Sequence, residues 1–242
     1  YASTSSYVTH LKLDANSRIS LSNNDSGGEN TIFGYSAGAS IHADADYNTF
    51  FGHQVSDATM TATADFNTGI GHQALSALTS GTINTAVGSS SGTALTTGDE
   101  NVFLGSAAGY ATTDTNKSVM IGRMAGFADI SEDGHVGIGY KALYALTSGA
   151  GNVAVGYQSL DAATGAGQNT AIGYGTLGTL VDGDQNTAVG YNAMTSGTHT
   201  SYNFNTVVGA NAGDAFTSVA IEHVTALGAN AIGGALAAAA NG

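Results

Sequence analysis

The chain has 242 residues, a formal net charge of −13 and no Cys, Pro or Trp beside 35 Gly. Without Cys there is no disulfide framework, thiolate metal site or cysteine nucleophile, and no apolar run approaches the roughly 20 residues that cross a bilayer. Five basic residues, Lys12, Arg18, Lys117, Arg123 and Lys141, are too few to displace the counterions of a phosphate backbone, so neither nucleic acid nor membrane insertion is expected.

Leu, Ile, Val and Phe number 47, a share which at this charge would by itself suggest disorder, so order has to come from arrangement. Tyr1 in place of Met reads as the start of a processed chain or of a fragment. Residues 1–29 contain "LKLDANSRISLS", two alternating runs around a polar turn, which predicts a hairpin that caps the first repeat or joins it to a preceding shaft. From residue 30 one phrase recurs, as in "NTGIGHQAL" (67–75), "NVAVGYQSL" (152–160), "NTAIGYGTL" (169–177) and "NTAVGYNAM" (186–194). Its anchors are Gly34, Gly52, Gly71, Gly88, Gly105, Gly122, Gly139, Gly156, Gly173, Gly190, Gly209 and Gly228. The seven steps from Gly71 to Gly190 are all 17 residues, flanked by steps of 18 and 19 before and 19 and 19 after.

Each position of the phrase has its own chemistry. The residue before the anchor is large and apolar throughout, from Phe33 to Leu227. Three before it stands Thr in eight copies and Val in four, and four before it Asn in nine. A second Gly recurs in turns at Gly81, Gly98, Gly149 and Gly183. β-Branched residues suit strands, and Gly permits the backbone angles of corners. The prediction is an all-β fold, a parallel β-solenoid or β-roll of about twelve coils of about 17 residues over 30–232, with a small-residue tail at 233–242. Because side chains alternate, the Thr/Val column and the large apolar column share one face. That face is assigned to the interior, on the premise that the bulkiest apolar groups go inside. The Asn column and the uncharged residue two before Gly then lie outside, and neighbouring chains are expected to cover them. "ALSAL" (74–78) and "ALYAL" (142–146) leave room for a short helical turn within a coil.

These phrases resemble the short Val-Ala-Ile-Gly-type repeats in the heads of trimeric autotransporter adhesins, and still more the longer repeats of bacteriophage tail-fibre and appendage proteins. "LKLDANSRISLSNN" is likewise similar to segments preceding such repeats in phage fibres. The resemblance covers about residues 11–232. It implies a left-handed, trimeric β-roll: a structural and adhesive module of a virion, a rigid homotrimeric rod that binds other fibre proteins and supports attachment to a host-surface glycan. A self-assembling extracellular filament or bacterial surface adhesin is the alternative. Ice binding is a third reading, disfavoured where Thr points inward.

Few residues suggest chemistry. Tyr140, Tyr157, Tyr174 and Tyr191 follow the anchor in four consecutive copies. They form the first candidate for surface recognition by stacking on sugars, or else an aromatic ladder or subunit contact. The Asn column offers exposed amides to a ligand or, as the stronger reading, stacked side chains that hydrogen-bond between coils. His42, Asp44 and Asp46 in "HADAD" are weak metal candidates, and "DGD" adds Asp182 and Asp184. The acidic residues recur at no fixed coil position as paired carboxylates would require, and "GSSSG" (88–92) lacks the setting of a nucleophile elbow, so no enzyme and no cofactor are expected.

Overall fold

In a computed structural model, residues 17–21, 29–195, 202–214 and 221–233 are described. One sheet of thirteen strands runs through them in sequence order. The first strand, β1 (Ser17–Leu21), pairs antiparallel with β2 (Thr31–Tyr35), Ile19 opposite Phe33, and so covers the edge of the first coil. The other arm of the expected hairpin, before residue 17, lies outside the described residues, as does 234–242 of the tail. From β2 onward all pairing is parallel. Eleven three-residue strands, β3 (Thr49–Phe51) to β13 (Thr225–Leu227), each align in register with the strand of the preceding coil. This is the parallel β-solenoid, with no helix among the described residues.

The anchor glycines make the stacking possible. All twelve hold φ between +118° and +144°. A Cβ on Gly88 would stand 2.6 Å from the carbonyl oxygen of Gly105, and the other anchors up to Gly209 meet the next anchor in the same way. Only Gly both adopts this backbone and lets successive corners close to hydrogen-bonding distance.

The two faces of the strands are the reverse of the assignment made from residue size. From β2 to β13 the residue two before the anchor is buried: Phe50, Ala86, Phe103, Met120 and Ala154 are 0 % exposed. The bulky residue before the anchor points out, with Phe51 53 % and Ile172 40 % exposed. The reason is volume. A narrow coil already receives Leu75, Leu143, Leu160 or Leu177 from the turn four residues past the anchor. Opposite such a Leu the strand supplies Gly69, Gly137, Ala154 or Ala171. Where the turn position is Gly109 or Gly126, the strand supplies Phe103 or Met120. A Cβ at Gly109 would lie 2.6 Å from the Phe103 ring, and one at Gly126 2.6 Å from Met120 Sδ. In these coils a large residue on one side of the interior is matched by a small one on the other, and beside Ala86 and Gly92 the Phe103 ring of the next coil takes the space.

The Leu spacing in "ALSAL" and "ALYAL" is not helical either. Leu75 and Leu143 hold left-handed φ of 53° and 56°, closing turns in which the Leu78 and Leu146 amides donate to their carbonyls at 3.0 and 3.4 Å.

Beside the apolar interior runs the Asn ladder, buried and internal. Asn84 donates its backbone N–H and its Nδ2 to Asn67 Oδ1 at 3.0 and 3.1 Å, and Nδ2 also donates to the Gly98 carbonyl at 2.7 Å. Asn101, Asn169 and Asn186 repeat the pattern. The amides of these Asn are consumed within the column, so their own buried donors and acceptors are satisfied.

Candidate functional site

The inversion of faces leaves a long outer surface with an unusual character. Twelve rungs present Thr or Val beside Phe, Ile, Val or Leu, and no charged residue occurs in either column. The rows are partly to largely exposed along their whole length, with Phe33 and Phe51 stacked at 4.9 Å near the first coil and Leu227 79 % exposed at β13. At about 4.8 Å per rung the strip is roughly 50 Å long and about 10 Å wide. A continuous patch of this extent is at the upper end of what a monomeric protein exposes, and patches of that size are often functional.

Two ladders flank this strip. On the side past the anchors the tyrosines stack as a ladder: Tyr140–Tyr157, Tyr157–Tyr174 and Tyr174–Tyr191 have ring centroids 5.1, 4.9 and 5.3 Å apart. A Tyr35–His53–His72 row occupies the same column in the first coils. Stacked rings cover one another's faces, so sugars meet this column at ring edges and hydroxyls rather than by stacking.

On the other side, two residues before the inner Asn position, stands a second hydrogen-bonded ladder, which corrects the expectation that the acidic residues recur at no fixed coil position. Asp65, Asp99, Asp133 and Asp184 share this column with Asn116 and Asn203. Here the side-chain oxygen accepts the backbone N–H of the preceding coil: Thr82 to Asp99 at 2.7 Å, Asp99 to Asn116 at 2.8 Å, Asn116 to Asp133 at 2.8 Å, and Asp184 to Asn203 at 2.8 Å. The inner ladder runs in the opposite sense. Its signal in the sequence is an Asp or Asn recurring six places before many of the anchor glycines. The column lapses at Ala150 and Gly167, where a shallow depression of about 240 Å³ opens beside Gln168 and Asp184.

This ladder accounts for part of the acidic motifs. Asp46 donates its N–H to Asp65 Oδ1 at 2.7 Å, and Asp184 accepts from Gly167 at 2.7 Å. His42 Nδ1 accepts the Asp44 N–H at 3.1 Å and stands 3.8 Å from the Asp44 carboxylate. Among the described residues no three His, Asp or Glu side chains gather as a metal would need.

One interior position breaks the pattern. The Asn ladder is replaced by Ser118 and His135 between Asn101 and Asn152. His135 is fully buried, its Nδ1 accepts the Asn152 N–H at 3.3 Å, and its Nε2 has no partner among the described residues. Burial pushes its pKa down to about 4, against smaller upward pulls from the Glu132 backbone and the Asp133 carboxylate. The ring is a substitute rung, enclosed by the coil.

Comparison with protein-family models, with curated proteins and with solved structures finds no match to this chain.

Proposed function

We propose that the chain is a structural and adhesive module of a phage fibre, in which three copies pack side by side through the strip of Thr/Val and large apolar residues. The observation that supports this reading is the strip itself: uncharged in every rung, with a continuous outward-facing column of large apolar residues beside Thr or Val. Its nominal area of about 500 Å², before side-chain relief is counted, is close to the ~600 Å² per partner at the lower end of specific interfaces. Identical copies are the natural occupant, since a strip without charge or register marks is complementary to itself in a parallel arrangement. The threefold count and the virion setting come from the resemblance of the repeat phrase to phage fibres. A bacterial surface adhesin uses the same assembly at a cell surface. The stacked backbone ladders supply stiffness, and attachment is left to side chains beyond the strip.

Sedimentation equilibrium tests the assembly: the reading requires a particle of three times the 24.0 kDa chain mass. Ile138→Asp with Ile172→Asp should leave monomers with unchanged β content, because neither side chain fills the coil interior. A monodisperse monomer of the unaltered chain overturns it.

Ice binding gains one observation from the structure, since the Thr column points outward. Four consecutive Val rungs, from Val102 to Val153, and the bulky Phe33 and Phe51 interrupt the regular hydroxyl array. Thermal hysteresis in solutions of the chain would favour this second reading, and its absence removes it.

A further inference from the structure

The cations are the least expected side chains in so acidic a chain, and two of the three that lie among the described coils sit together. Arg123 occupies the tyrosine column one coil before Tyr140, its guanidinium 5.8 Å from the centre of that ring. Lys141 Nζ stands 5.7 Å from the same ring and 4.6 Å from that of Tyr144. Tyr144 closes a second aromatic row, Tyr110–Phe127–Tyr144, with centroids 5.0 and 5.2 Å apart. Lys141 therefore marks where two aromatic rows converge, and both cations are there. Neither is paired with a carboxylate: the one ion pair among the described residues joins His42 and Asp44. The acid that feels Lys141, Asp161, lies beyond ion-pair distance, takes a hydrogen bond from Gln158 Nε2 at 2.9 Å, and is raised in pKa chiefly by its own burial.

We infer that the junction formed by Arg123, Tyr140, Lys141 and Tyr144 is a binding site for a carboxylate-bearing glycan. The proposal deepens the attachment reading above and rests on it for its biological setting. Ring contacts hold both cations over aromatic surface instead of leaving them to solvent, which preorganises them for one anionic group. A carboxylate accepts charge-assisted hydrogen bonds from a guanidinium and an ammonium together. Beyond the junction, Tyr157, Tyr174 and Tyr191 continue along the rod, and their ring edges and hydroxyls offer hydrogen bonds to the hydroxyls of a glycan chain lying parallel to the axis. A densely charged polyanion fits poorly, because two cations on a chain of net charge −13 cannot offset its repulsion. A glycan that spaces its carboxylates among neutral apolar and hydroxyl surface fits both the charge and the rows.

The test is binding of the full chain to immobilised uronic-acid and sialic-acid oligosaccharides, with their carboxyl-reduced counterparts and duplex DNA as comparisons. The proposal requires binding to at least one acidic oligosaccharide, weakening as salt rises. It also requires loss of about tenfold or more in Arg123→Gln with Lys141→Gln, and no comparable binding to the reduced form. Tyr174→Phe, which keeps the ring and removes the hydroxyl, should lose a smaller factor, and Lys117→Gln, on the far side of the strip, should lose nothing. Failure of every acidic oligosaccharide to bind, equal binding of the reduced form, an unaffected double variant, or tighter binding of DNA each overturns it. Sedimentation of the same samples separates the two claims. A trimer that ignores acidic glycans leaves the fibre reading standing, and a monomer that binds them through Arg123 and Lys141 leaves the site standing.

Discussion

Phe103 offers the sharpest test of the volume rule that places each side chain inside or outside the coil. Its ring is fully buried and lies against Gly92 and Gly109, where added Cβ atoms would stand 2.8 and 2.6 Å away. Phe103→Ala alone leaves a cavity with no neighbour able to fill it, and should cost about 3–5 kcal/mol. Gly109→Leu alone drives a side chain into the ring, costing about 1–3 kcal/mol in overpacking and about 1–2 kcal/mol for a non-glycine at left-handed φ. Combined, the two substitutions recreate the Ala154/Leu160 coil, whose Leu holds φ of 54° against the 60° of Gly109. The double variant should then lose only the backbone part, about 1–2 kcal/mol, and be more stable than either single variant. Urea unfolding of the four proteins, with amide exchange in the coils around residue 103, measures this as a double-mutant cycle. A double variant that is the least stable of the set refutes the compensation, and with it the idea that bulky residues precede the anchor outside because the interior is already full.

Two other positions carry predictions of their own. His135 is neutral when folded, with its pKa near 4, and unfolding returns it toward 6.5. The unfolded chain therefore binds more protons between these values, so its contribution is intact above about pH 6.5 and falls by about 3 kcal/mol on acidification to about pH 4. His135→Asn restores the ladder rung, should raise the urea midpoint, and should flatten its dependence on pH over that window; an unchanged pH profile would show that His135 is not the titrating group. Ile83 is a β-branched residue at φ 58°, 55 % exposed. Ile83→Asn should raise stability by up to about 1 kcal/mol, since Asn tolerates that backbone, and a lowered denaturation midpoint would show that the packing of the Ile side chain outweighs the strain.

The period, the strands and the corners were legible because each depends on one residue type that nothing else replaces. Gly88 must be Gly for Gly105 to approach, and in-register coils must repeat that demand. The side of the sheet was not legible from size alone. In "NTAVG" both alternating columns lack charge, so polarity gives no direction, and the bulk of Val suggests the interior when Ala in fact takes it. The deciding information sits six residues away, in whether Leu143 or Gly109 follows Gly137 or Phe103. Leu75 and Leu78 imitate a helical stripe because a left-handed turn also directs residues three apart to one side. The tyrosine row was visible as a row, but its stacking closes the ring faces to sugars, and the cations that complete the proposed site belong to two neighbouring coils whose juxtaposition only the fold supplies.

The proposed side-by-side assembly rests on the outward strip, and the chain's lack of cysteine allows a clean probe of it. A single Val155→Cys, oxidised in dilute solution, places one thiol in the strip at a position where parallel copies bring identical residues together within disulfide reach. Packing through the strip predicts rapid covalent dimers with one chain in three left over, and no such product from Glu132→Cys, on an exposed turn outside the strip. A Val155→Cys protein that stays monomeric on oxidation, or that links no faster than Glu132→Cys, contradicts it.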